Sequence, residues 1–128
     1  MMATGTDGDG RARPVVLVLQ DEPILAGIMR DFVEEAGCDA VVVRTAEAAV
    51  RILEGRTDIR VVFADLDVRG STTGLKLVAM IRDRWPPIEL VLTGALAPDL
   101  DAIPARGVFC DKPFRENKVI SAIRSFAA

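Results

Sequence analysis

Four short stretches of this chain hold side chains able to do chemistry, and each follows an apolar run. Gln20-Asp21-Glu22 follows Val15 to Leu19, and Asp65-Leu66-Asp67 follows Val61 to Ala64. Thr93-Gly94-Ala95 follows Ile88 to Leu92, and Asp111-Lys112 follows Gly107 to Cys110. Singly, each has an ordinary explanation. Asp65 could cap a helix or close a turn, Asp21 could be a helix N-terminal acid, Thr93 a cap and Lys112 a solvated turn residue. Brought together, they suit one task. Clustered carboxylates repel one another and favour a hard cation with oxygen ligands. Mg²⁺ would take Asp21, Asp65 and a backbone carbonyl while keeping waters. Asp65 could then act as a nucleophile toward phosphorus. The Thr93 hydroxyl and neighbouring N–H groups would bind phosphoryl oxygens, and Lys112 would add a second positive charge.

The elements that must position these residues follow from the hydrophobic pattern. Val15 to Leu19, Ala40 to Val43, Val61 to Ala64 and Gly107 to Cys110 are apolar runs of strand length, and Ile88 to Leu92 is another with Glu89 as its one charge. Helical spacing lies between them. Pro23 opens a segment with Ile24, Leu25, Ile28, Phe32, Val33 and Ala36 on its apolar face, and Gly37 stops it. Thr45 and Glu47 start a second, with Ala46, Ala49, Val50 and Leu53, ending at Gly55. Leu75, Val78, Ala79 and Ile81 mark a third, ending at Trp85-Pro86-Pro87. A short segment from Leu96 to Pro104 is bracketed by prolines. The final helix carries Val119, Ile120, Ile123 and Phe126. Alternating strands and helices with apolar strands predict a parallel sheet covered on both faces. The expected architecture is an α/β, flavodoxin-like, doubly wound (βα)5 fold with a five-stranded parallel sheet in the order 2-1-3-4-5. Strands one, three, four and five would then deliver their carboxyl ends to one crevice. The second strand ends in Arg44-Thr45, a helix start.

Composition narrows the classes. The chain has 128 residues, 50% hydrophobic and 27% charged, with net charge -3. That suits one domain with a core and is the wrong sign for bulk nucleic-acid binding. There is no histidine and no closely spaced cysteine pair, which disfavours zinc and histidine-based catalysis. Cys38 and Cys110 read as reduced, buried thiols, and the expected location is cytoplasmic. Residues 1–13 read as a flexible leader without a signal-peptide core, and 14–128 as the domain. No apolar run reaches the length of a membrane span.

The ordered set Gln20-Asp21-Glu22-Pro23, Asp65 after an apolar strand, Leu92-Thr93-Gly94-Ala95 and Lys112-Pro113-Phe114 resembles the receiver domain of bacterial two-component response regulators. The likeness covers residues 14 to about 127. It implies that Asp65 is the phospho-acceptor, with Thr93 and Lys112 binding the transferred group. It implies an acidic pair for Mg²⁺ at Gln20 and Asp21, with Asp65 and the Asp67 carbonyl as further ligands and Gln20 or Glu22 completing the set. Thr93 and Phe109 would be the switch pair, and Lys112-Pro113 a cis peptide. The implied partners are a sensor histidine kinase or histidine phosphotransfer protein as donor and an unidentified downstream protein. A homodimer through strands four, five and the last helix is left open, with no specific residue pointing to it. Direct nucleic-acid and membrane contacts are not expected, nor is an enzyme's turnover beyond self-catalysed phosphorylation and dephosphorylation. With nothing after Ala128, the expectation is a stand-alone receiver.

The sequence departs from that family pattern at four places. Gln20 replaces the usual first acid of the pair. The loop from Val68 to Gly74 lacks the usual proline and carries an extra residue. The segment from Leu96 to Pro104 is short, and Phe109 has no hydroxyl. These keep open an alternative, a pseudo-receiver acting as a phosphorylation-independent binding module. A haloacid-dehalogenase-type hydrolase would place its DxD pair after the first strand of a larger domain, and here Asp65-Leu66-Asp67 follows the third. A flavin carrier would want a hydroxyl-rich loop after the first strand, where this chain is acidic.

Overall fold

Strands that are apolar along most of their length bury both faces when they lie at the middle of a sheet, as the central ones do here. The computed structural model describes residues 13–68, 74–94, 107–112 and 114–127. In it β1 (Val15–Leu19), β2 (Asp39–Val43), β3 (Ile59–Asp65), β4 (Glu89–Gly94) and β5 (Gly107–Asp111) form one parallel sheet. The strand order is β2-β1-β3-β4-β5, as expected. Four helices are described: α1 (Pro23–Glu35), α2 (Ala46–Gly55), α3 (Gly74–Arg84) and α4 (Glu116–Ala127). The leader through residue 12, the loop residues 69–73, the helix expected within 96–104 and the peptide to Pro113 lie outside the described residues.

Strand alternation sorts the core into two layers. Val16, Val18, Val61, Phe63 and Val91 face α1 and α4, where they meet Met29, Val33, Val119 and Ile123. Leu17, Leu19, Val62, Leu90 and Leu92 face α2 and α3, packing with Ala49, Leu53, Leu77 and Ile81. Helix ends follow local chemistry. Glu22 caps α1, its carboxylate accepting from the N–H groups of Ile24 and Leu25 at 3.0 and 2.8 Å. Gly37, at φ +86°, takes the left-handed turn that ends it. The Thr45 hydroxyl accepts from the Ala48 N–H at 3.0 Å and starts α2.

Two helix faces differ from the expected ones. In α1 the buried residues are Met29 and Val33, while Ile24 is 74% exposed. In α3 they are Gly74, Leu77, Val78 and Ile81, and Leu75 and Ala79 are exposed. Both helices carry apolar residues over more of their circumference than the sheet covers. Spacing alone therefore selects a stripe one position off. No helix among the described residues is long and apolar enough to cross a membrane.

Candidate functional site

The alternation that fills the α1/α4 layer also aims the polar strand ends. Val16 and Val18 lead to Gln20, Val61 and Phe63 to Asp65, Val91 to Thr93, and Cys110 to Lys112, all in step with one face. The strand order sets β1 and β4 on either side of β3, and the register pairs Asp65 with Thr93. The sheet's winding reverses between β1 and β3, where open α/β sheets leave a crevice at their carboxyl ends.

Asp65 is the centre of the cluster. It is 2% exposed, and every polar neighbour named here donates to it. Oδ1 accepts the N–H of Asp67 at 2.8 Å. Oδ2 accepts the Lys112 ammonium at 2.7 Å and the Gln20 amide Nε2 at 2.5 Å. A second contact holds Lys112, whose Nζ lies 3.2 Å from Asp67 Oδ2. Burial works against the Lys112 ammonium, but the hydrogen bond and charge of Asp65, and then those of Asp67, outweigh it and raise its pKa. The Leu66 N–H donates to the Thr93 carbonyl at 2.7 Å, tying the turn after β3 to β4. Thr93 is fully buried, and its Oγ1 has no hydrogen-bond partner among the described residues. A buried hydroxyl is ordinarily hydrogen-bonded, which sets Thr93 apart from the other polar groups of the site.

The structure therefore brings Gln20, Asp65, Asp67, Thr93 and Lys112 together. Glu22, one of the expected metal helpers, is instead engaged as the cap of α1. Phe109 is half-buried on the opposite face, packed against the α2/α3 core beside its register partner Leu92. Two neighbours escaped the sequence reading. Met29 Sδ lies 3.4 Å from Gln20 Nε2. Phe114 meets Phe32 edge-on at 5.7 Å and Phe63 at 6.4 Å, which anchors the chain just past Lys112. An apolar residue straight after Lys112-Pro113 was the available signal for that anchor.

The cation expected from the sequence can be tested against these donors. Among the described residues, no three acidic, histidine or cysteine side chains come together as a metal site. Gln20 presents its NH₂ to Asp65, and its Oε1 accepts the Glu22 N–H at 3.0 Å. Asp21 and Asp65 are the carboxylates left, with the Asp67 carbonyl. Of the expected set, Gln20 and Glu22 are thus engaged elsewhere, and the two acids and the carbonyl remain.

Comparison with known proteins adds an independent line. The response regulator receiver domain family matches residues 16–124. The nitrogen assimilation regulatory protein NtrX of Azorhizobium caulinodans is 27% identical over 110 residues, 82% of this chain and 24% of that protein. This chain thus spans about a quarter of that relative's length. A response regulator receiver protein from Sinorhizobium medicae superposes with a TM-score of 0.80 at 20% identity, covering 90% of this chain and 94% of that one. A co-crystal structure from Saccharomyces cerevisiae pairs the histidine phosphotransfer signaling protein Ypd1 with the receiver domain of its downstream response regulator Ssk1. It matches with a TM-score of 0.73 at 17% identity, covering 91% of this chain and 92% of that one.

Proposed function

The chain belongs to the response regulator receiver domain family, and from that premise we propose that Asp65 accepts a phosphoryl group and thereby switches a protein-binding surface. The observation that carries this reading is the arrangement at Asp65. A buried carboxylate has an ammonium at 2.7 Å and, one strand over, a buried hydroxyl that has no partner among the described residues. Lys112 offsets the charge of the incoming group, and Thr93 offers its hydroxyl to a phosphoryl oxygen. The phosphoryl donor we propose is a histidine kinase or a histidine phosphotransfer protein, the kind of partner seen with the yeast receiver domain. An Asp65 oxygen attacks phosphorus and the P–N bond of the donor phosphohistidine breaks. The electron pair stays on the imidazole, which then takes a proton from water. The new dianion draws Lys112 and Thr93 toward it, and Phe109 responds by repacking on the α2/α3 side.

Receiver domains generally bind Mg²⁺ at the phosphorylation site. The oxygens left for it in this chain are those of Asp21, Asp65 and the Asp67 carbonyl, and no step above depends on it. The domain acts as a signalling element, and its downstream protein target takes the surface changed at β4, β5 and α4.

The test is chemical. With acetyl phosphate and Mg²⁺, the wild-type protein gains one phosphoryl group in intact-mass spectra and Asp65→Asn gains none. Equal labelling of both would move the acceptor elsewhere. A folded wild-type protein that never labels would instead support the phosphorylation-independent binding module.

A further inference from the structure

The side chain that sets this site apart is Gln20. It is 2% exposed, and both ends of its amide are engaged. Nε2 donates to Asp65 Oδ2 at 2.5 Å and touches Met29 Sδ at 3.4 Å, while Oε1 accepts the Glu22 N–H at 3.0 Å. Only one orientation of the amide satisfies these neighbours. Turned over, it would set oxygen against oxygen at Asp65 and donor against donor at Glu22. The amide oxygen is therefore turned toward Glu22 and away from Asp65, where a donor stands instead.

The consequence falls on the two oxygens of Asp65. A carboxylate oxygen accepts about two hydrogen bonds. Oδ2 already has two donors, Gln20 and Lys112, whereas Oδ1 has one, the Asp67 N–H. A divalent cation reaching Oδ2 would have to displace the amide or the ammonium, and it would find an amide donor where an acid would hold it. We propose that Gln20 is a positioning residue that stands in for a metal-binding acid: with Lys112 it clamps Oδ2 of Asp65, leaves Oδ1 as the attacking oxygen, and makes phosphoryl acceptance only weakly dependent on Mg²⁺.

This inference rests on Asp65 being the acceptor. With acetyl phosphate as donor, a lone pair on Oδ1 forms the new O–P bond. The P–O bond to acetate breaks, and acetate leaves with that electron pair. No proton moves. Charge is conserved, since a carboxylate is consumed and a carboxylate is released.

The test compares initial labelling rates by intact mass, in EDTA and in saturating Mg²⁺. For wild type the two rates should agree within about threefold, because the donors that compensate Oδ2 are protein groups. In Gln20→Glu a carboxylate replaces the donor, and labelling in EDTA should fall about tenfold or more and recover with Mg²⁺. Gln20→Met keeps the length and apolar contact but donates nothing. It should lose about tenfold in EDTA, and it guards against a Glu variant that folds poorly. Calorimetry should give a wild-type Mg²⁺ affinity about tenfold or more weaker than that of Gln20→Glu. A wild-type rate that collapses in EDTA, or a wild-type affinity equal to that of Gln20→Glu, overturns the proposal while leaving Asp65 as acceptor. Absence of labelling in every condition overturns the acceptor reading and this inference with it.

Discussion

Thr93 is the residue at which stability and function pull apart. Its hydroxyl is fully buried without a partner among the described residues, so folding strips it of water and none of those residues replaces the lost hydrogen bond. On the proposed function that group is kept for a phosphoryl oxygen. Valine has the same shape without the hydroxyl. Thr93→Val should therefore raise the unfolding free energy by about 1 kcal/mol in urea titrations. The same variant should label more slowly with acetyl phosphate. A loss of stability of similar size would mean that the hydroxyl is satisfied in the unphosphorylated protein. Lys112 behaves in the opposite sense, since its partners are already present. Asp65 and Asp67 raise its pKa above the ordinary 10.5, against the effect of burial. Its contribution is therefore fully present below that ordinary value and is lost only as pH climbs through the raised one. At neutral pH the Lys112 tie from β5 across to β3 is intact.

At the scale of elements, the approach of α3 to the turn after β3 depends on one missing side chain. A Cβ on Gly74 would lie 2.8 Å from the Leu66 Cα and 3.1 Å from its carbonyl oxygen. These are backbone atoms, and Leu66 directly follows Asp65, so the turn cannot yield without disturbing the site. Gly74→Ala should destabilise by about 1–3 kcal/mol despite alanine's better helix propensity. Gly27 is the control. It sits mid-helix in α1 with nothing within 4 Å of the added Cβ, so Gly27→Ala should stabilise by about 0.5–1 kcal/mol. Urea denaturation of the pair checks both, and equal effects would remove the close approach as the reason for glycine at position 74. The two helices also mark where sequence reading succeeded and where it stopped. The strands were legible because apolar runs of that length have few other uses, and the order β2-β1-β3-β4-β5 was the one that fits five such units in a flavodoxin-like doubly wound sheet. The faces of α1 and α3 were not, because Ile24 and Leu75 are as apolar as Met29 and Leu77 and only docking decides between them. The members of the site were readable as strand-end residues. The orientation of Gln20 was not, since a sequence shows a missing acid but not the donor that takes its place.

For the whole molecule, the two thiols report on opposite margins of the sheet. Cys38 precedes the edge strand β2, and Cys110 lies in the other edge strand, β5. Both are 1% exposed, unpaired, and part of the α1/α4 layer of the core. Burial raises both pKa values above the ordinary 9.0, and for Cys38 the nearby Arg13 only partly offsets it. The thiol stays protonated in the folded chain while the unfolded chain ionises it from 9.0 upward. Each cysteine therefore contributes stability that is complete below 9.0 and is lost as pH rises through the raised value. A neutral-to-alkaline titration should show a flat urea midpoint to about pH 9 and a decline above it, with Lys112 joining the loss beyond its own ordinary value. Thiol modification at pH 8 gives the sharper test. Reaction needs both access and thiolate, and the fold withholds both, so neither cysteine should be modified in the native protein while both react after unfolding. If each edge is held by the same cooperative core, the two should react in a single phase whose rate tracks the global unfolding equilibrium as urea is added. A fast phase confined to Cys110 would instead mean that β5, the strand that delivers Lys112 to Asp65, opens independently of the rest of the sheet.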